Sequence, residues 1–163
     1  MRPLRFLPFL ALLALGSGAP ALSGCDSGGE ECSSTDTFST EDITPEGAEL
    51  GAAIAIGQCV EVDYVGRLAD GSGTFDEGTL RRVYAPNNGL IPGFVLGMAG
   101  QQIGETRRVV IPPDLAYGPT PRNARSGTDS DGNAYVGIPA CSTLEFDITV
   151  TNTFQDTRQC GLQ

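Results

Sequence analysis

Only one stretch of this chain spaces its apolar residues as a helix does. Across Pro92 to Gln102 and the residue before it, Ile91, Phe94, Val95, Met98 and Gln102 follow helical spacing, and the first four are apolar. Proline suits a first helical turn, while Gly97 and Gly100 weaken the later turns, so the helix is expected to be short. The other patterned segments alternate with a period of two. Cys59 to Arg67 sets Val60, Val62 and Tyr64 against Cys59, Glu61, Asp63 and Val65. Leu144 to Val150 sets Leu144, Phe146, Ile148 and Val150 against Glu145, Asp147 and Thr149, a strand with one wet face. Arg107 to Ile111 reads as a strand stopped by Pro112-Pro113, Thr79 to Tyr84 as a weakly marked short strand, and Asp70-Gly71-Ser72-Gly73 as a turn. The expected fold class is therefore α+β: an antiparallel β-sheet with one short α-helix packed on it. There are no internal repeats.

The chain opens differently. Arg2 and Arg5 precede an apolar run from Phe6 to Leu15, broken by Pro8, and then come small residues. This is the outline of a secretory signal peptide over residues 1–24. It ends in Leu22-Ser23-Gly24-Cys25, which resembles a bacterial lipobox. The resemblance implies lipidation at Cys25, with an N-terminal acyl anchor in the bilayer; two or three acyl chains hold far better than one. Residues 25–40 are acidic and rich in Ser and Gly, read as a tether. The domain is expected over residues 41–163. No later apolar run reaches the roughly 18 residues a membrane helix needs.

Setting Cys25 aside leaves Cys32, Cys59, Cys141 and Cys160, an even number in a chain bound for an oxidising compartment. Four cysteines allow three pairings, and their spacing does not choose among them. Zinc is disfavoured by the wide spacing and the absence of histidine. The net charge of −10, with no lysine, argues against a nucleic-acid partner.

Without histidine there is no Ser/His/Asp or Cys/His arrangement. No phosphate-binding or dinucleotide fingerprint occurs. Asp129-Ser130-Asp131-Gly132-Asn133 has the start of a calcium loop, but its glycine is misplaced and no Glu closes it, so a solvated turn is expected. No cofactor is implied. What remains is a set of aromatic and aliphatic residues among Gly and Pro.

Those residues carry a family resemblance. Val62-Asp63-Tyr64-Val65-Gly66, Leu68-Ala69-Asp70-Gly71 and Thr74-Phe75-Asp76 resemble the opening of FKBP-type peptidyl-prolyl cis/trans isomerases. Leu90-Ile91-Pro92-Gly93-Phe94, Ile103 to Arg108, Ile111 to Gly118, Ile138-Pro139 and Thr143 to Ile148 come next, in the family's order. The resemblance covers roughly 41–154. It implies catalytic roles for Tyr64, Phe75, Asp76, Phe94, Tyr117 and Phe146, and substrate contacts from Leu90, Ile91 and Ile138. Apolar residues before proline are then expected to be preferred. The implied partners are Pro-containing exported polypeptides, met by a monomer at the cell envelope, on its periplasmic or extracellular side. The alternative is a catalytically weak module that binds Pro-containing segments. Read without the family, the same aromatic residues are simply core, and Asp76 a turn residue.

Three departures from the family pattern stand out. Phe94 replaces the usual Trp, keeping an aromatic floor but losing ring area and an N–H donor. The span from Gly78 to Gly89 looks shortened, and Arg81 or Arg82 falls near a position that is usually aromatic. Twenty residues separate Tyr117 from Ile138, an excess centred on Arg122 to Tyr135. The family's strand order also bears on the cysteines. It makes the strands at Cys59 and after Cys141 antiparallel neighbours, which disfavours Cys59–Cys141. It favours Cys59–Cys160, leaving Cys32–Cys141 as the second bridge.

Overall fold

The computed structural model describes residues 32–161. The expected signal peptide and Cys25 lie outside the described residues. Five strands form one sheet: β1 (Ser39–Asp42), β2 (Cys59–Leu68), β3 (Thr74–Val83), β4 (Thr106–Ile111) and β5 (Leu144–Phe154). Their order is β1-β4-β5-β2-β3, with every pairing antiparallel. One helix, α1 (Pro92–Gly97), and two 3₁₀ turns, Pro113–Leu115 and Thr157–Gly161, complete the described elements. The α+β expectation holds.

The two alternating segments lie together in the sheet. β2 and β5 pair along their length, from Cys59 opposite Phe154 to Leu68 opposite Leu144. Val60, Val62, Leu144, Ile148 and Val150 are fully buried, while Glu61, Asp147 and Thr149 on the other face are only partly covered. Burying such aliphatic side chains is worth about 1.5–3 kcal/mol each.

Helix α1 lies very close to β4. A Cβ at Gly97 would stand 2.7 Å from both Val109 methyls, and one at Gly93 would overlap Ile111. The glycines that weaken the helix are what let it approach. The helix is shorter than the expected Pro92 to Gln102. Met98 is its C-cap and Gly100 takes φ +70°, which turns the chain out of the helical path. Arg107 Nη1 donates to the freed carbonyls of Gly97 (3.0 Å) and Ala99 (2.9 Å). The buried Gln101 amide donates to the carbonyls of Glu105 (2.9 Å) and Ile148 (2.7 Å).

Two strands differ from expectation. β3 starts at Thr74, five residues before the expected Thr79, because the hairpin turn lets it pair with β2 from Thr74 opposite Arg67 onward. β1 has no counterpart among the expected strands. Its residues are polar and exposed, and it holds by pairing with β4. The expected tether over 25–40 is correspondingly curtailed. From Cys32 on, the chain is tied to the domain by the Cys32–Cys141 disulfide, and Thr143 Oγ1 donates to Asp36 Oδ2 at 2.5 Å. The second disulfide joins Cys59 and Cys160, so both bridges match the favoured pairing.

Candidate active site

Three elements bring aromatic rings to one point. Tyr64 comes from β2, Phe146 from β5 and Phe94 from α1. Phe94 meets Phe146 edge-on at 5.1 Å between ring centres, and meets Tyr64 edge-on at 6.0 Å. Phe75, at the start of β3, meets Phe146 edge-on at 5.4 Å. Edge-to-face contact suits the charge distribution of the rings. Phe75, Phe94 and Phe146 are buried; Tyr64 is half-buried.

Gly66 makes this packing possible. It sits opposite both Asp76 and Phe146 in the sheet. A Cβ there would stand 2.6 Å from Phe75 Cζ and 2.7 Å from Phe146 Cε1. No side chain other than hydrogen lets both rings close over the strand. Sequence reasoning gives this glycine no role of its own, because nothing local reveals which rings will cross it.

The rings line a partly open cavity of about 140 Å³. Tyr64, Phe75, Asp76, Leu90, Ile91, Phe94, Tyr117 and Phe146 all line it, as do Leu80 and Gly89. Eight of the nine pocket residues named from the sequence therefore share one cavity. The ninth, Ile138, lines an adjoining space of about 390 Å³ that shares Phe75, Asp76 and Tyr117 with the first. Ile91 is the N-cap of α1, so its N–H lies outside the helical ladder.

The Gly78 to Gly89 span is corrected by the structure. Neither Arg81 nor Arg82 enters the cavity; Leu80 lines that wall. Arg81 turns to the other face of the sheet, where Nε donates to Glu61 at 2.9 Å and the guanidinium lies 4.2 Å from the Phe154 ring centre. Arg82 is exposed. Leu80 shares its strand parity with Asp76 and Gly78, not with Phe75, because the register shifts beside Phe75; alternation read onward from Phe75 leads to Arg81 instead.

The rim is polar. Tyr64 Oη donates to Asp76 Oδ2 at 2.8 Å. Burial, then this hydrogen bond, push the Tyr64 hydroxyl well above its ordinary pKa. Arg125 Nη1 pairs with the other Asp76 oxygen, and its guanidinium lies 4.3 Å from the Tyr135 ring centre. The inserted loop thus reaches the cavity rim. Its Asp129 forms a turn, accepting the N–H of Asn133 (2.8 Å) and of Asp131 (3.1 Å). Among the described residues, no Ser, Thr, Cys or Lys lines the aromatic cavity. An apolar, ring-lined space with one hydrogen-bonded rim can bind a small flat apolar group and orient the chain that carries it.

Known proteins resemble this chain in sequence and fold. The sequence model described as FKBP-type peptidyl-prolyl cis-trans isomerase matches residues 51–151. FK506-binding protein 3 of Candida albicans is 35% identical over 63% of this chain and 21% of its own length. FK506-binding protein 4 of Chaetomium thermophilum is 37% identical over 60% of this chain and 18% of its own. The chain thus spans about a fifth of those relatives. Among solved structures, FkpA from Escherichia coli is 29% identical with a TM-score of 0.52, over 71% of this chain and 47% of its own. AtFKBP13 is 26% identical with a TM-score of 0.54, over 77% of this chain and 99% of its own. The family match covers well over half of the sequence, and on that ground the chain belongs to the FKBP-type peptidyl-prolyl cis-trans isomerase family.

Proposed function

We propose that this chain is an active peptidyl-prolyl cis/trans isomerase, acting as a monomer on exported Pro-containing polypeptides and anchored at the cell envelope by lipid on Cys25. The carrying observation is the partly open aromatic cavity formed by Tyr64, Phe75, Phe94 and Phe146. An X-Pro bond turns over a barrier of about 18–20 kcal/mol without any bond being broken. At the top of the barrier the amide is twisted, its conjugation is lost and its carbonyl is less polarised. A dry ring-lined cavity favours that form over the planar, more dipolar amide, which is differential binding of the transition state. Each tenfold in rate needs only about 1.4 kcal/mol. In this reading the proline ring lies over Phe94 between Tyr64 and Phe146. The Ile91 N–H and the Tyr117 hydroxyl hold the flanking carbonyls, and Asp76 biases the orientation of the carbonyl that rotates.

The envelope reading is supported by Cys25 directly behind an apolar run and by two disulfides that use all four remaining cysteines. Such bridges persist in oxidising compartments. A second reading, a binding module with slow turnover, is favoured by Leu80 standing on a cavity wall that is usually aromatic in the family. NMR exchange spectroscopy on a Leu-Pro peptide separates the two. Exchange faster than the uncatalysed rate is expected; peptide binding without faster exchange would leave the binding module. For the anchor, Cys25→Ser is expected to move the protein out of the detergent phase, and unchanged partitioning would refute it.

A further inference from the structure

The described residues include eight arginines. Six of them, Arg67, Arg81, Arg107, Arg108, Arg125 and Arg158, form ion pairs with carboxylates. Arg82 and Arg122 do not, among the described residues. Arg82 turns back to the Arg81 carbonyl at 3.2 Å. Arg122 instead holds its guanidinium 4.7 Å from the centre of the Tyr117 ring, at the mouth of the aromatic cavity. A chain with twenty acidic residues against ten basic ones has carboxylates to spare, and this arginine takes none of those described.

Its backbone is pinned. The Arg122 N–H donates to the Ile138 carbonyl (2.8 Å) and the Ile138 N–H returns to the Arg122 carbonyl (2.9 Å). This antiparallel bridge and the Tyr117 ring anchor both ends of the residue. The space it lines, about 390 Å³, opens off the aromatic cavity and shares three residues with it. The charged groups lining that space are Asp76, Arg122 and Arg125. Asp76 is already taken by Tyr64 and Arg125, so the lining carries two guanidiniums against one carboxylate. The mouth is positive on a protein whose net charge is −10.

Resting on the isomerase reading, we propose that Arg122 is a specificity residue that receives the carboxylate of an Asp or Glu one or two positions from the substrate proline. An extended chain advances about 3.5 Å per residue, so a proline in the aromatic cavity lays those neighbours along the adjoining space. A planar guanidinium held over a ring keeps N–H groups free to pair with both oxygens of a carboxylate, a match that lysine does not reproduce. Arg122 thereby selects for acidic flanks, while the aromatic cavity selects for proline.

Fluorescence anisotropy with the full chain in detergent tests this. The probes are labelled peptides with one proline and Glu, Gln or Lys at each of the two positions on either side. At one of those positions Glu is expected to bind about fivefold more tightly than Gln, the worth of a good exposed ion pair. The ratio should shrink towards one in about 0.5 M salt. Arg122→Gln should bring the Glu and Gln peptides together, and Arg122→Lys should keep part of the preference. Equal binding of Glu and Gln at all four positions would overturn the assignment, as would an unchanged preference in a folded Arg122→Gln. If that variant does not fold, the wild-type ratios and their salt dependence still decide. Exchange measurements on the neutral peptide keep the two readings apart. Catalysis without an acidic preference sinks Arg122 alone; an acidic preference without catalysis sinks the isomerase and leaves the subsite.

Discussion

The floor of the cavity and its rim are held by different means. The floor rings stand on β2 and β5, which pair from Cys59 to Leu68, and on α1, and Phe94 and Phe146 are 3% and 5% exposed. The rim groups Asp76 and Arg125 have side chains 35% and 47% exposed, and Arg125 and Arg122 sit on a loop tied down by isolated bridges. In the proposed mechanism, floor residues therefore carry fold and function together. Rim residues are free to change which chain is accepted without endangering the fold. Substitutions in the floor should accordingly cost more than substitutions at the rim.

Phe94→Ala should do most. Truncating a buried aromatic costs about 3–5 kcal/mol. It also removes the surface under the proline, so catalysis should fall at least about tenfold, or about 1.4 kcal/mol in the barrier. Urea unfolding and NMR exchange measure the two losses. A loss of catalysis with stability untouched would break the idea that the floor serves both.

Gly66→Ala comes next, and it tests the floor without removing any ring. The added methyl meets Phe75 and Phe146 at 2.6 and 2.7 Å. Overpacking of this kind costs about 1–3 kcal/mol. The rings must spread, so catalysis should fall with stability. If stability falls and catalysis stays, ring spacing is not what the cavity contributes.

The floor is legible in the sequence and the rim is not, for the same physical reason. Phe146 and Tyr64 sit in segments whose alternation repeats over seven or more residues, and burial enforces that repeat. Phe94 is marked by helical spacing, though the helix ends sooner than that spacing implies. Phe75 and Asp76 have no periodic signal and come only from family resemblance. Leu80 escapes because the register shift beside Phe75 puts it out of phase with that ring, leaving two arginines as the apparent occupants. Arg125 meets Asp76 across 49 positions of sequence, through a loop with no period, so nothing local announces the pair. β1 is four polar residues whose only support among the described strands is the edge of β4.

Arg125→Gln sharpens the comparison from the other side. It removes the ion pair at Asp76 but touches no buried ring. Stability should change by no more than about 0.5 kcal/mol, as for other exposed positions. Substrate affinity should move more than the rate of the bound substrate, because Asp76 keeps its hydrogen bond from Tyr64. A collapse of stability would mean that the loop supports the floor.

The smallest expected effect is none, and it bears on the mechanism. The chain has no histidine, the side chain that ordinarily titrates near neutrality. All four cysteines of the domain are in disulfides. Tyr64 is the candidate whose ionisation would matter, since its hydroxyl donates to Asp76. Its folded pKa is raised, first by burial and then by that hydrogen bond, so the neutral donor persists to higher pH than for an exposed tyrosine. Loss of the proton would place a phenolate beside the Asp76 carboxylate, and that change lies above the working range. Catalysis by a twisted amide in an apolar cavity moves no proton. The exchange rate should therefore be flat from about pH 6 to pH 8.5, where general acid–base catalysis would give a slope or a bell. A bell-shaped profile across that range, with protein that stays folded, would mean that a titrating group acts on the substrate and that the rings do not suffice.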